Sequence, residues 1–236
     1  MTAPRGDHDR IYESWVARLA RISKEVLDAF FHQALWTAMR DEIQARHPTA
    51  DATFLVSYSM VYIDAQAMAI RRLADPDDET HSLAALIAAI LRNPHVPSRQ
   101  RYLHTFEPTE LDVGEAARTW GQRWASPLDA EMLDLAPLRH DLERLAGETD
   151  VVSRWATKVL AHLDPTKPTV VPKYSEIRSA LDVVADITNN CELLFHRSTT
   201  AYEMIAFTSD WQAMFRPSLF PLALQAFEWP DPRGFT

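Results

Sequence analysis

The sequence predicts an all-α protein, a helical bundle of about six to eight helices. Apolar residues recur three or four positions apart over most of the chain, which is the period of an amphipathic helix. Glycine occurs only five times in 236 residues, and prolines fall mainly between the periodic stretches. Hydrophobic residues make up 47% of the chain, enough for a sizeable core. We expect one helical domain over residues 11–215, between a flexible N-terminus (1–10) and an irregular tail (216–236).

Composition and charge exclude several classes of protein. The single cysteine, Cys191, cannot form an internal disulfide or a thiolate zinc site, and it fits a reducing cytosol. A formal charge of −9 argues against broad electrostatic binding to nucleic acid. The longest apolar run, at 83–91, is too short to span a bilayer, and the first ten residues lack the apolar core of a signal peptide. We therefore expect a cytoplasmic protein with no membrane segment.

The first two helices are predicted from Ile11 to about His47 and from about Ala50 to Ala74. Each carries an apolar stripe at helical spacing that should face the core. The stripe of the first is Trp15, Leu19, Ile22, Val26 and Phe30. The stripe of the second is Phe54, Tyr58, Val61, Ala65 and Met68. Asp64 and Arg71 lie one heptad apart and away from the second stripe, which indicates a solvated face.

The third helix, Ser82 to Arg92, is almost entirely Ala, Leu and Ile and should be buried. The acidic residues just before it (75–79) invite a metal hypothesis, but the glycine and distant glutamate of a calcium loop are missing. Complementation of the helix N-terminus is the favoured interpretation. Glycine-rich phosphate loops and zinc-protease motifs are also missing, so we expect neither a metal nor a cofactor.

Residues 93–111 contain three prolines and are predicted as a long loop. This loop holds Arg99, Arg101, Tyr102 and His104, a basic and aromatic set. Arg99 and Arg101 are candidates for binding an RNA substrate. The alternative is an ordinary solvated connection.

Three further helical segments are predicted downstream. One covers Val113 to Ala125 with Trp120 and Trp124 on one face, which is typical of core or interface anchors. A second covers Leu128 to Ala146, with a bend near Pro137 and a stop at Gly147. The last covers Tyr174 to Thr199, and Met204 to Phe215 could add a short helix. The last long helix carries a bundle seam at Ile177, Leu181, Val184, Thr188, Cys191 and Phe195.

The stretch from Val151 to Pro165 holds the strongest chemical signal. It is predicted as a short helix that begins near Thr149 or Asp150 and packs through Val152, Trp155, Val159 and Leu163. Arg154, Lys158 and His162 are four apart and should stack in a column. Two cations could hold a phosphate while the imidazole moves protons near neutral pH. The alternative is structural, because basic residues near a helix C-terminus are favoured by the macrodipole.

Two short motifs and their order resemble a known superfamily. The run AHLD at 161–164 follows a basic helix and precedes the seam helix, and RRLADP at 71–76 ends an amphipathic helix. This order is similar to the abortive-infection AbiU-like branch of the HEPN superfamily, over roughly residues 11–200. The resemblance implies an all-helical and often dimeric bundle. Active members are metal-independent ribonucleases of phage defence and toxin–antitoxin systems, with a motif of an Arg, four to six residues and a His.

This chain departs from that motif at the arginine. His162 matches the family His, and Asp164 matches the acidic residue that often follows it. Ala156 stands at the place of the Arg, while Lys158 lies closer to the His and Arg154 lies one position beyond the family spacing. The resemblance implies His162 as general acid or base, with Arg154 and Lys158 holding the phosphate and Asp164 assisting in substrate binding.

Three functions remain open at this point. The first is a HEPN-like ribonuclease that acts on RNA beside an antitoxin or other protein partner. The second is an inactive HEPN-like bundle that binds a partner protein or a nucleotide, and the third is an unrelated helical scaffold. We expect a homodimer, formed through the Trp120/Trp124 face, the seam helix and the aromatic tail. We expect a core that includes Trp15, Ile22, Phe54, Val61, Leu86, Trp155, Leu181 and Val184.

Overall fold

A computed structural model describes residues 6–46, 52–105, 113–161, 171–196 and 198–205. Within these ranges the chain forms seven α-helices and one π-helix, with no strand, so the all-α prediction is confirmed. The α-helices are α1 (Asp7–Arg46), α2 (Ala52–Leu73), α3 (Leu83–Arg92), α4 (Arg99–His104), α5 (Val113–Trp124), α6 (Leu135–Trp155) and α7 (Tyr174–His196). The π-helix (Ala156–Ala161) continues α6 without a break.

Helices α1 and α2 form an antiparallel pair. Near the end of α2, Arg72 Nε donates to Glu25 Oε1 at 2.7 Å. Nearer its start, Gln66 Nε2 donates to the Ala29 carbonyl at 3.0 Å. The earlier residue of α2 thus contacts the later residue of α1, as in an antiparallel pair. The loop that joins the two helices lies outside the described residues.

Helix α7 runs antiparallel to α1 on another side of the bundle. The Arg178 guanidinium, near the start of α7, lies 5.7 Å from the centre of the Phe30 ring. Near the end of α7, the Phe195 ring lies 5.3 Å from the ring of Tyr12. Helices α2 and α7 therefore run in the same direction.

Helix α6 completes a four-helix bundle with α1, α2 and α7. Arg144 pairs with Asp186, and Asn190 Nδ2 donates to Asp141 Oδ2 at 3.1 Å, so α6 is antiparallel to α7. It is therefore antiparallel to α2 as well. Helices α3, α4 and α5 are inserted between α2 and α6, with α3 packed on α1 and α6.

The core agrees with most of the predicted set. Within that set, six side chains are buried: Trp15, Ile22, Leu86, Trp155, Leu181 and Val184. Cys191 is also a core residue as predicted, and burial raises the pKa of its thiol to about 12. The apolar seam of α7 therefore packs in the core of this chain.

The predicted face of α2 is wrong. Phe54 is 56% exposed and Val61 is 62% exposed, so the predicted stripe is not the face of α2 that forms the core. Two of its members, Tyr58 and Met68, are partly buried at the edge of the core. The buried face is Tyr62, Ile63, Gln66, Ala67, Ala69, Ile70 and Leu73. Four of these residues are large and apolar, two are alanines and one is a glutamine.

The predicted boundary at Gly147 is also wrong. Helix α6 begins at Leu135, where Asp134 Oδ1 accepts from the Ala136 backbone N–H at 2.9 Å, and it continues through Gly147. Pro137 lies in the first turn, where a missing N–H costs nothing, so it produces no stop. The two segments predicted on either side of Gly147 form one helix, and Leu128 lies outside it.

The predicted loop at 93–111 contains a short helix, α4. Ser98 caps it, because its side chain accepts from the Arg101 backbone N–H at 3.2 Å. Tyr102 is buried, and its ring lies 5.4 Å from that of Trp120. Trp120 and Trp124 are both buried, so they anchor α5 to the rest of this chain.

Candidate functional site

The π-helix is the most unusual backbone feature near the predicted site. It begins at Ala156, directly after the buried Trp155, and includes Thr157 and Lys158. Thr157 Oγ1 donates back to the Ser153 carbonyl at 2.9 Å, a type of bond that loosens a helix. Single π-helical turns within α-helices are frequent at functional sites. This turn leads directly into the segment that carries His162.

A guanidinium from α2 contacts this turn. Arg71 Nε donates to Thr157 Oγ1 at 2.8 Å, and Arg71 is half-buried. Thr157 is the one hydrogen-bond partner of the Arg71 side chain among the residues that the structure describes. The contact joins the two motifs of the resemblance, because Arg71 begins RRLADP and the π-helix ends at the first residue of AHLD.

Asp64 lies on the same face of α2 as Arg71. The two are seven residues apart, about 10.5 Å along the helix. Because α2 and α6 are antiparallel, the π-helix continues from Thr157 in the direction of Asp64. Asp64 Oδ1 is buried and has no hydrogen-bond partner among the described residues, and burial raises the pKa of this carboxyl. A half-buried acid with a raised pKa is a candidate proton carrier.

The predicted basic column is only partly present. Arg154 is in the last turn of α6 and is exposed, and its guanidinium pairs with Asp150 at 2.6 Å. Lys158 is exposed and lies in the π-helix, where one turn takes an extra residue. Side chains four apart therefore no longer stack directly there, and the column ends at Arg154. His162 and Asp164 lie outside the described residues.

Arg99 and Arg101 lie far from the π-helix. The Arg101 guanidinium pairs with Asp9 at 2.7 Å and lies 4.6 Å from the centre of the Tyr12 ring, so it attaches α4 to the start of α1. Glu25, the partner of Arg72, comes sixteen residues later on α1, about 24 Å along the axis. Arg99 is half-buried, and its backbone N–H donates to the Glu131 carbonyl at 2.8 Å. The structure does not bring these arginines to the site.

Sequence reasoning interpreted Asp64 and Arg71 as parts of a solvated face and missed their place. Their heptad spacing was a usable signal, since residues seven apart share one helix face. The prediction for α2 placed the wrong apolar stripe in the core. With the apolar stripe placed inward, their face appeared to point to solvent, whereas in the structure it lies along α6 and the π-helix.

Among the residues that the structure describes, no group of three or more His, Cys, Asp or Glu side chains could hold a metal ion. No helix in the described ranges is long and apolar enough to cross a membrane.

In comparisons with known proteins, no family model, no curated protein and no solved structure matches this chain. The resemblance to the HEPN superfamily therefore stays a prediction.

Proposed function

We propose that this protein is a HEPN-like, metal-independent ribonuclease whose site lies between α2 and the chain that follows α6. The observation that supports this proposal is the hydrogen bond from Arg71 to Thr157, which holds a guanidinium beside the π-helix that leads to His162. A phosphodiester needs a cation at such a position, since guanidinium groups bind phosphate oxygens in bidentate fashion.

Arg71 replaces the missing arginine of the motif in this proposal. Ala156, which stands at the motif position, is fully buried. An arginine at that place would lie in the core rather than against a phosphate. Helix α2 supplies the charge from the other side of the turn, and the exposed Lys158 adds a second cation at the edge of the site.

Cleavage needs one base and one acid. A base removes the proton of the RNA 2′-hydroxyl, the 2′-oxygen attacks phosphorus, and the 5′-oxygen leaves with a proton from an acid. The products are a 2′,3′-cyclic phosphate and a 5′-hydroxyl. We assign these two roles to His162 and Asp64, the latter because burial raises the pKa of its carboxyl and favours the protonated form.

The test is cleavage of a labelled single-stranded RNA by the purified full-length protein. We expect cleavage that persists in chelator and is absent on a DNA strand of the same sequence, which lacks the attacking hydroxyl. His162→Ala and Arg71→Ala should each lower the rate by about 100-fold or more, the usual effect of removing a group that acts on the transition state. Arg71→Lys should recover only part of the loss, because lysine lacks the planar fork.

Arg92→Ala is the matched control. Arg92 is an exposed arginine at the end of α3, and its guanidinium pairs with Asp78 at 2.8 Å. Arg154→Ala tests the phosphate role expected from the sequence, and we expect a smaller effect than for Arg71→Ala. Each variant is checked by thermal melting. A wild-type protein that leaves RNA intact, or a His162→Ala variant with wild-type activity, would overturn the proposal.

A second candidate function, binding of another protein chain, is favoured by the exposed face of α2. Phe54, Val61 and Ala65 are exposed and lie seven and four residues apart, so they share one side of the helix. We name this surface the α2 stripe. We propose a second copy of this chain as the occupant, because such a stripe can match itself across a two-fold axis.

A further inference from the structure

Helix α1 carries a second apolar surface outside the core. We name it the α1 strip: Leu27, Phe31, Ala34 and Ala38. These residues are four, three and four apart, so they share one side of the helix. Leu27 is 43% exposed and Phe31 is 41% exposed. The core side of this half of α1 is formed by other residues: Trp36, Met39 and Ile43. The described part of the chain therefore leaves the α1 strip partly uncovered.

The α1 strip faces away from α2. Glu25 and Ala29 both contact α2, through Arg72 and Gln66 respectively. Leu27 lies two residues from each of them, and successive residues of an α-helix are about 100° apart around its axis. Leu27 therefore points to the side of α1 that is turned away from α2. The α1 strip is thus separate from the α2 stripe.

The chain that follows α7 runs back along α1 toward the α1 strip. Phe195, in the last turn of α7, has its ring 5.3 Å from that of Tyr12, near the start of α1. Tyr202 is buried, and its ring lies 5.9 Å from that of Phe30. Seven residues of chain thus move the contact on α1 from position 12 to position 30. The next residue of α1, Phe31, belongs to the α1 strip.

Hydrogen bonds to α7 hold residues 198–205 in this position. Tyr202 OH donates to Glu192 Oε1 at 2.9 Å, and Thr200 Oγ1 donates to Glu192 Oε2 at 3.0 Å. The Thr200 backbone N–H donates to Asn189 Oδ1 at 2.9 Å, and Asn189 Nδ2 donates to the Thr200 carbonyl at 3.2 Å. Ile205, three residues after Tyr202, packs against the core. The described chain therefore ends beside the middle of α1.

Residues 206–236, which lie outside the described residues, have a composition that favours burial. Seven of these 31 residues are aromatic, against 10% in the whole chain. They are Phe207, Trp211, Phe215, Phe220, Phe227, Trp229 and Phe235. The first three are four apart, a spacing that matches the α1 strip. Large rings also complement the small side chains of Ala34 and Ala38, because facing positions pack best when large and small residues alternate.

We infer that residues 206–236 cover the α1 strip of the same chain, with Phe207, Trp211 and Phe215 as the contacting side. The α1 strip is about 16 Å long, which a segment of this length spans easily. The segment is attached beside the α1 strip, so its effective concentration there is about millimolar, and a second copy at micromolar concentration competes poorly. The ribonuclease proposal does not use this surface, so either proposal can fail while the other stands.

Photo-cross-linking identifies the occupant of the α1 strip. The photoreactive amino acid p-benzoylphenylalanine replaces Phe31 in the full-length protein, which is irradiated at low micromolar concentration and mapped by mass spectrometry. We expect cross-links to residues 206–236 within one chain. The same amino acid in place of Val151, an exposed residue of α6, is the matched control and should give no such cross-link. Cross-links that join two chains would assign the α1 strip to a second copy and overturn the inference. The absence of any cross-link from position 31 to residues 206–236 would also overturn it.

Chymotrypsin, which cleaves after aromatic residues, measures how often the segment is released. Phe31→Glu places a charge in the apolar contact and should speed cleavage after Trp211 and Phe215 at least about tenfold. Trp211→Ser should likewise speed cleavage after Phe215, because it removes the other side of the contact. Val151→Glu is the control and should be cleaved at the wild-type rate. Circular dichroism of each variant separates release of the segment from loss of the fold. Equal cleavage of wild type, Phe31→Glu and Trp211→Ser would overturn the inference.

Discussion

At the scale of single residues, Asp64 should impose a pH dependence on stability. Burial raises the pKa of this carboxyl above its ordinary value of 3.8, so the folded state binds more protons than the unfolded state as pH rises from that value. Its contribution to stability is therefore present in acid and lost as pH rises through the folded pKa. We expect Asp64→Asn to melt at a higher temperature than wild type at pH 7.

The difference should shrink as the pH falls from the folded pKa toward 3.8 and should be lost below 3.8, where the wild-type carboxyl is protonated in both states. Thermal melts of both proteins across the acid range measure it. Asp150→Asn is the control, because an exposed ion pair with Arg154 contributes little to stability. A melting difference that stays constant with pH, or an Asp64→Asn protein that is less stable at pH 7, would contradict the argument.

At the scale of elements, two helical glycines should respond oppositely to alanine. A Cβ added at Gly147 in α6 meets nothing within 4 Å, so Gly147→Ala should raise the free energy of unfolding by about 0.5–1 kcal/mol. A Cβ at Gly121 in α5 would lie 2.5 Å from the Leu128 carbonyl oxygen. Gly121→Ala should therefore lower stability by about 1–3 kcal/mol.

Denaturant titrations of the two variants measure these changes, and each protein serves as the control for the other. The pair also tests whether α6 is continuous. If Gly147 ended a helix, as the sequence suggested, alanine would be neutral or unfavourable there. A loss of stability in Gly147→Ala would therefore argue against one helix from Leu135 to Trp155.

The sequence was sufficient to predict where the long helices lie, but it was not sufficient to predict which face of a helix is buried. The stripe of α1 was placed correctly because its apolar residues are large and its opposite face is charged. On α2 both faces are apolar, one with large residues at 54, 58, 61 and 68 and one with large residues at 62, 63, 70 and 73. Periodicity cannot choose between them, since the choice depends on how closely neighbouring helices approach.

The candidate site was less predictable than the fold for a related reason. The stretch at 151–161 is helical as predicted, although its helix begins at Leu135. Its contact with α2 joins residues 71 and 157, which are far apart in sequence. Helical spacing describes one element at a time. The contact follows from the antiparallel packing of α2 on α6, which no local pattern contains.

At the scale of the whole molecule, the α2 stripe should decide the oligomeric state. We expect a dimer at micromolar concentration by light scattering, and a monomer for Val61→Glu, because a charge within an apolar interface is costly. Val61 is 62% exposed, so the change should leave the fold of the monomer intact. Val151→Glu is the matched control, an exposed valine on α6 at 40%.

A monomeric wild-type protein would refute the predicted dimer. A Val61→Glu protein that still dimerises would show that the interface is not at the α2 stripe. The two tryptophans of α5 cannot supply it in the folded chain, because both are buried within this protein.

The π-helix also changes how the spacing between Arg154 and His162 should be compared with that of other chains. Since a π-turn closes with one residue more than an α-turn, it is the signature of a one-residue insertion into a regular helix. Deleting one residue from 156–161 would return the turn to α-helical geometry and leave the residues after it at nearly the same angle about the helix axis, whereas the same deletion from a regular helix would rotate them by about 100°. Two chains with different counts of residues between a cation and a histidine can therefore present them at the same angle. Two with equal counts can present them on opposite sides.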